Sequence, residues 1–499
     1  MQGVSSFTRN SVTILVVSVM AFVLGYVYVQ SFNVGWRAVV ALHLGILFFL
    51  GCALFLRDLR SFFLFVMIFA VPLEYGYHLI FRKLVGVDTA PFAIGIRIDV
   101  VDVVLLLLYM HWGFVLAQTP LRRGRITIGN SLGKLFLLWI VWVSLAGILR
   151  SEHLNYTAFE LVTLYKGFLL YFYLVNNLSS EQELRVVLYA FFAVTVAQGL
   201  YIIMQYVTGF NYSLHGETPA DIAAGAQAYR AIGFTGWDGA AAIMNYILPI
   251  MLIYYFIIPE KFKRGGTLIG IGIVLLGLLF LKMRSAYFAG LVSIIIVLAV
   301  SYLRRWISAR QVLGVLAAAL VCLTVAVYFA VQRFESGETG VERIPLMLTA
   351  LNIIKANWLL GVGANNYLFH IEQYLPVSLR HTWEYTVHNE YLLRAAETGI
   401  PGFLIYYALL LIMMRKLWKV ARTSNPWIYM TALGLFASLV GSLPYRVVSF
   451  FHTGPLYYEF CVVLALTYFL QTLEKRRLAG ESSRLGTIQG RGLPVATET

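Results

Sequence analysis

Charge is what this sequence has least of. Asp, Glu, Lys and Arg make up only 12% of its 499 residues, about half the share of an ordinary soluble domain. So few ionic side chains cannot coat a water-facing surface, which excludes a conventional soluble fold. Cysteine is nearly absent too. Cys52, Cys322 and Cys461 each lie in an apolar run, with no CxxC or Cys/His spacing, so neither a zinc site nor a disulfide framework is indicated. An A-x-A-like cleavage site is missing near the N-terminus, and Ser11 to Gln30 reads as a first spanning helix, not a removed signal. What abounds is apolar: 60% hydrophobic residues and a mean hydropathy of +0.77. A run such as VVDVVLLLLYMHWGFVLAQ is long enough to cross a hydrocarbon layer roughly 30 Å thick.

The few charges are not scattered. RDLR (57–60), RRGR (122–125), EKFKR (260–264), RRWISAR (304–310), RKLWKVAR (415–422) and EKRR (474–477) fall in every second connection between apolar runs. Cytoplasmic loops of membrane proteins are basic, and this accounts for the net charge of +14 without a nucleic-acid partner. The alternation fits about fourteen spans, beginning near 12–30, 36–56 and 61–81 and including ones near 311–331, 391–414, 427–445 and 453–471, with both termini cytoplasmic. The expected fold class is therefore an all-α polytopic membrane protein with about 12–14 transmembrane helices and a large external loop containing short helices. We divide it into an N-terminal transmembrane bundle (1–210), a second transmembrane region (211–471) and a disordered cytoplasmic tail (472–499). The second region contains the external loop 332–390, with a helical stretch near 344–356. Loops of that length carry function or are disordered, and the Trp, Tyr and Ile content here argues for order.

Basic residues on the external side are exceptions, which makes them informative. Arg230 precedes the eighth span, Arg284 sits at a tight turn between two spans, and Arg343 starts the loop helix. Arginine presents a planar fork of donors suited to phosphate oxygens. Several on one face suggest a pyrophosphate site; the plainer reading is that each snorkels alone to lipid headgroups. The loop ends in VHNEYLLRAAETGIPG (387–402). His388 titrates in the range that general-base catalysis needs. Asn389 reads as a helix cap, and Glu390 as a first-turn acid favoured by the helix dipole. Glu390, Arg394 and Glu397 share one helix face. Glu397, about two turns in, is an ionisable group at a costly depth. Gly399, Pro401 and Gly402 are expected to kink the helix and allow close packing. Asp99 and Asp102 can be read as metal ligands or, more plainly, as polar residues at a helix entrance. Asp238 reads equally as an acid or a cap.

His388-Asn389, nine residues, then Gly399-x-x-Gly402 resembles the signature of the O-antigen ligase and polymerase superfamily of bacterial membrane glycan transferases. RAIGFTGWDG, MRSAYFAG and RIPLMLTALNIIKANWLLGVGANNY resemble other segments of that family, in its order. The resemblance covers about residues 225 to 415. Asp238 stands where the family often has Asn, and Trp358 where a Pro often precedes Gly-x-Gly. By resemblance, the protein is a glycosyltransferase of the inner membrane, with its active site on the periplasmic face. It would use an undecaprenyl-pyrophosphate-linked donor and no metal or other cofactor. Arg230 and Arg284 would hold the pyrophosphate, and His388 would take the proton of the acceptor hydroxyl. Arg343, Asn389, Glu390, Glu397, Gly361 and Gly363 would line the substrate.

The acceptor separates two activities. A polymerase joins the glycan to another lipid-linked repeat; a ligase moves it to lipid A-core. The span count leans toward the polymerase, with a flippase and a chain-length regulator as candidate partners. A transporter or flippase for the same lipid-linked glycan is the alternative of another class. Repeated halves and midplane helix breaks would mark it, and the sequence shows no such repeat.

Overall fold

The computed structural model describes residues 58–73, 76–81, 93–118, 126–209, 231–257, 260–320, 324, 343–375, 386–448 and 454–489. Two compact units partition the chain, one of residues 1–67 and 102–126, the other of 68–101 and 127–499.

In the first unit, helix α1 (Leu59–Ala70) starts where Asp58 accepts the Ser61 N–H at 3.1 Å. Helix α2 (Val100–Gln118) supplies the rest of its described residues. The apolar run that reads as a span near 61–81 is not one helix. Pro72 lacks a donor and disfavours helix before it, and α1 stops at Ala70. The chain then forms a two-stranded antiparallel hairpin in the second unit, β1 (Gly76–Phe81) with β2 (Gly95–Asp99). GYHLIF supplies the aromatic and branched residues that favour strand.

The second unit is helical. Its bundle runs α3 (Ser131–Arg150), α4 (Leu154–Asn177), α5 (Glu181–Thr208), α6 (Gly236–Ile257), α7 (Lys261–Leu281), α8 (Arg284–Leu303) and α9 (Ala309–Leu320). Two short helices, α10 (Arg343–Ala356) and α11 (Tyr367–Tyr374), belong to the long loop, with α10 where the sequence places a helix. The chain then returns through α12 (Glu390–Val420), α13 (Pro426–Val448) and α14 (Gly454–Gln489). The helices begin where their caps dictate. Asn130 accepts the Leu132 N–H, and Ser180 with Glu183 forms a reciprocal capping box.

Nine helices among the described residues, α2 to α8, α12 and α13, are long and apolar enough to cross a membrane. The protein is an all-α polytopic membrane protein. The expected spans near 12–30 and 36–56, and most of 311–331, lie outside the described residues. The last helix continues to Gln489, through much of the stretch that reads as a disordered tail.

Small residues set the packing, as expected where lipid gives helices little hydrophobic reason to associate. A β-carbon on Gly441 of α13 would meet the Ala289 carbonyl of α8, and one on Gly277 of α7 would touch the Gly199 backbone of α5. The loop has a core of its own. Leu346, Ala350, Ile353, Val362, Tyr367 and Ile371 pack with Val387, Leu393 and Ala396 at the start of α12.

Candidate functional site

Three helix ends meet at one level of the bundle, and their register follows from side-chain contacts. Ser293 of α8 donates to the Ala437 carbonyl of α13, and Ser301 pairs with Tyr429, so the two helices run antiparallel. Ser438 of α13 donates to the Tyr246 carbonyl of α6. Counting along these ladders brings the first turns of α6 and α8 beside the last turn of α13. Asp238, Arg284, Tyr445 and Arg446 therefore share a level. The Tyr445 hydroxyl donates to Asp238 Oδ1 at 2.5 Å. Just beneath, a small, partly open cleft of about 10 Å³, room for roughly one water, lies among Asn245, Tyr246, Ala289, Ser438, Ser442 and Tyr445.

The start of α12 joins this level through Glu390, which is wholly buried. Arg446 Nη1 donates to its Oε2 at 2.7 Å, and the Tyr406 hydroxyl donates to its Oε1 at 3.0 Å. Arg446 also reaches the Tyr406 hydroxyl at 3.1 Å. Arg394 lies 3.9 Å from the same carboxylate, with its guanidinium over the rings of Trp139 and Tyr406. A buried charge is tolerable only when paired and hydrogen-bonded, and Glu390 is both. Asn389 acts as the cap, accepting the Leu392 N–H at 3.1 Å. The two residues after His388 thus fasten the helix, one by capping and one by a buried ion pair.

His388 itself is half-buried, with Nδ1 3.1 Å from the Thr386 carbonyl. Burial and then the Arg343 charge push its pKa below the ordinary 6.5, against a smaller upward pull from Asp238 and the Thr386 carbonyl. The neutral form, the one able to accept a proton, is therefore favoured. Arg343 is exposed and donates to the Val448 carbonyl at the end of α13, 3.1 Å away. Arg284 is half-buried in the first turn of α8. Arg230 lies outside the described residues. The backbone just after it is held firmly, because Gln205 of α5 accepts from the N–H groups of Ile232 and Gly233 at 3.2 and 2.8 Å.

The remaining sequence candidates sit in a different arrangement. Gly361, Gly363 and Glu397 form a clasp between the loop and α12. Val362 N–H donates to the Ala396 carbonyl at 2.9 Å, Gly363 N–H to the Glu397 carbonyl at 3.0 Å, and Ile400 N–H to the Trp358 carbonyl at 2.7 Å. These donors break into α12 at Gly399, whose φ of 71° and ψ of 173° are not helical. Gly361 has φ 71° and lies against the Glu397 and Ala396 backbone, with no room for a side chain. Glu397 is buried, and its carboxylate accepts the backbone N–H groups of Asn365 and Tyr367. The glycines thus present no open row of N–H donors to a phosphate; their donors are committed within the protein. The far side of the clasp is tied down by Asn366, which donates to Thr157 Oγ1 at 2.7 Å, and by Arg150, which donates to Asn357 at 2.6 Å.

Asp99 is buried between Arg97 at 2.6 Å and Lys166 at 3.2 Å, so its carboxylate is neutralised by cations of the chain. Asp102 lies in the first turn of α2, in the other unit. Sequence reasoning passed over Arg446, Tyr445 and Tyr406. The signal for Arg446 was present, since PYR (444–446) puts an arginine at the external end of an expected span, the same exception to the charge rule that drew notice to Arg284.

Long apolar helices in a bundle, with a cluster of charged, hydrogen-bonded side chains at one end, define a polytopic membrane protein. Residues 269–407 match the family model described as O-antigen ligase. That stretch holds most of α7, all of α8, the loop helices and α12 through Tyr407. Over that stretch the chain is similar to the O-antigen ligase family, and the match supports the resemblance to the O-antigen ligase/polymerase superfamily of membrane glycan transferases. No curated protein matches the chain significantly.

Proposed function

We propose that the protein extends or attaches a surface polysaccharide on the external face of the bacterial inner membrane, taking its glycan from an undecaprenyl-pyrophosphate-linked donor. The observation that carries the reading is His388. It lies inside the family-matched segment, is kept neutral by burial and Arg343, and stands at the start of a helix anchored beside Asp238 and Arg446. Its imidazole takes the proton from the acceptor hydroxyl. The hydroxyl oxygen forms the new bond to the anomeric carbon, and the bond from that carbon to the pyrophosphate oxygen breaks. The lipid pyrophosphate leaves with the electron pair. Arg284 and Arg230 neutralise the charge that develops on it, so the reaction needs no metal or other cofactor. Both termini are cytoplasmic in this reading, which puts the 332–390 loop and the site outside.

Polymerisation onto a second lipid-linked repeat is the form the expected span count favours, with a flippase and a chain-length regulator as partners. Ligation to lipid A-core is the second reading, and the family match is compatible with either. The glycan profile of a deletion strain separates them. Core capped with a single repeat indicates a lost polymerase; uncapped core with accumulated lipid-linked polymer indicates a lost ligase. His388→Ala and Arg284→Ala are each expected to abolish glycan assembly with the protein retained in the membrane. Wild-type polysaccharide from both variants refutes the mechanism.

A further inference from the structure

The last turn of α13 holds two carboxylates with two consecutive side chains. Tyr445 donates to Asp238 at the first turn of α6, and Arg446 donates to Glu390 at the first turn of α12. The same turn offers the Val448 carbonyl to Arg343 at the start of α10. The two elements that bring charge to His388, and the helix whose start carries it, are thus referenced to one helix end, although α13 itself supplies no group to the chemistry. Ser442 strengthens the hub, accepting from Arg446 Nε at 3.4 Å, and Tyr391 ties the next residue of α12 to the Leu443 carbonyl at 3.0 Å. Both lie one turn or less from the pair. None of α13 falls within the family-matched stretch, which ends at residue 407.

Burying an arginine at one helix end against a glutamate at the start of another is costly unless the geometry is excellent. A cap alone suffices to begin a helix, and Asn389 already supplies it. The ion pair therefore does more than initiate α12. It fixes the rotation and depth of the turn whose preceding residue is His388. Likewise, α6 could start without a tyrosine bonded to Asp238; the bond sets where that carboxylate's charge lies.

We propose that Tyr445 and Arg446 are positioning residues for the His388 site, Tyr445 holding the Asp238 carboxylate and Arg446 holding, through Glu390, the turn that carries the imidazole. The proposal rests on the reading of His388 as the base. The charged groups acting on that ring are Arg343 of α10 and Asp238 of α6, and the Thr386 carbonyl is its hydrogen-bond partner. Asp238 favours the protonated ring and Arg343 opposes it. A held Asp238 therefore stabilises the imidazolium that forms when the acceptor hydroxyl is deprotonated. Without the Tyr445 hydroxyl the Oδ1 atom loses the bond that fixes it, and the carboxylate's charge shifts relative to the ring.

The test uses the purified full chain in detergent. Of the two forms of a histidine ring, diethyl pyrocarbonate acylates the neutral one, so labelling located on His388 by tandem mass spectrometry and followed against pH reports both the midpoint and the accessibility of the ring without any glycan. Asp238→Asn is expected to lower the midpoint by roughly 0.5 pH unit. Tyr445→Phe, which removes one hydroxyl, lowers it in the same direction by less. Arg446→Lys keeps the charge and loses the planar fork; the turn loosens and labelling at the pH plateau rises several-fold. Tyr445→Phe remains decisive if Arg446→Lys does not fold. Wild-type midpoints and labelling rates in both hub variants overturn the proposal, whatever the transfer assay shows. Altered labelling that leaves the glycan unchanged, alongside a fully active His388→Ala, would instead overturn the reading of His388 as the base and keep the hub as a structural anchor.

Discussion

Gly399→Ala is the sharpest perturbation of the clasp between the loop and α12. The backbone there, at φ 71° and ψ 173°, occupies a region essentially restricted to glycine. A β-carbon would overlap the carbonyl of Leu359 and crowd the Leu360 nitrogen. The backbone strain alone is about 1–3 kcal/mol. Relieving the overlap means moving residues 358–360 away from α12, which breaks the 2.7 Å bond from Ile400 to Trp358 and loosens those from Val362 and Gly363. Each is worth about 0.5–1.5 kcal/mol net, so strain and three bonds together come to roughly 2.5–7.5 kcal/mol. Thermal unfolding of the purified variant in detergent should show a midpoint several degrees lower, and limited proteolysis should cut the 357–367 stretch first. Gly272→Ala is the control. It lies in α7 with open space where the new methyl would go, and gains roughly 0.5–1 kcal/mol from reduced backbone entropy. A Gly399→Ala protein as stable and protease-resistant as the wild type refutes the clasp.

Because the base must be neutral to act, transfer in reconstituted vesicles should fall as pH drops through the His388 pKa, which burial and Arg343 place below 6.5; an acidic limb centred above 6.5 contradicts this environment. Glu390→Ala leaves Arg446 buried without its carboxylate and should cost about 3–5 kcal/mol. Glu390→Leu combined with Arg446→Met should be less destabilised than either single change, and simple additivity in a double-mutant cycle would deny the coupling. EDTA should leave glycan transfer unchanged; loss of activity restored by a divalent cation would move the chemistry to a metal.

Some of this arrangement could be read directly from residue order. Scarce charge, long apolar runs and basic clusters in alternate loops specify a polytopic helical protein, because each follows from the cost of placing polar groups in lipid. The cap at Asn389 and the break at Gly399 were equally legible, since both depend on a few adjacent residues. The hairpin was not: YGYHLIF is as apolar as a span, and only Pro72 hinted that helix would stop before it.

The roles of the polar residues divide along the same line. Glu390 and Glu397 look alike in sequence, two acids seven residues apart on one helix. In the folded chain Glu390 meets Arg446, fifty-six residues away, while Glu397 holds the backbone of a loop thirty residues earlier. Local sequence determined that these helices form, how they are capped and which lie in lipid, because propensity and transfer energies act residue by residue. Only the tertiary structure decided which carboxylate faces an arginine and which faces backbone donors. That depends on distant segments arriving at the same level of the bundle, and pairing in a medium without water is settled by contact.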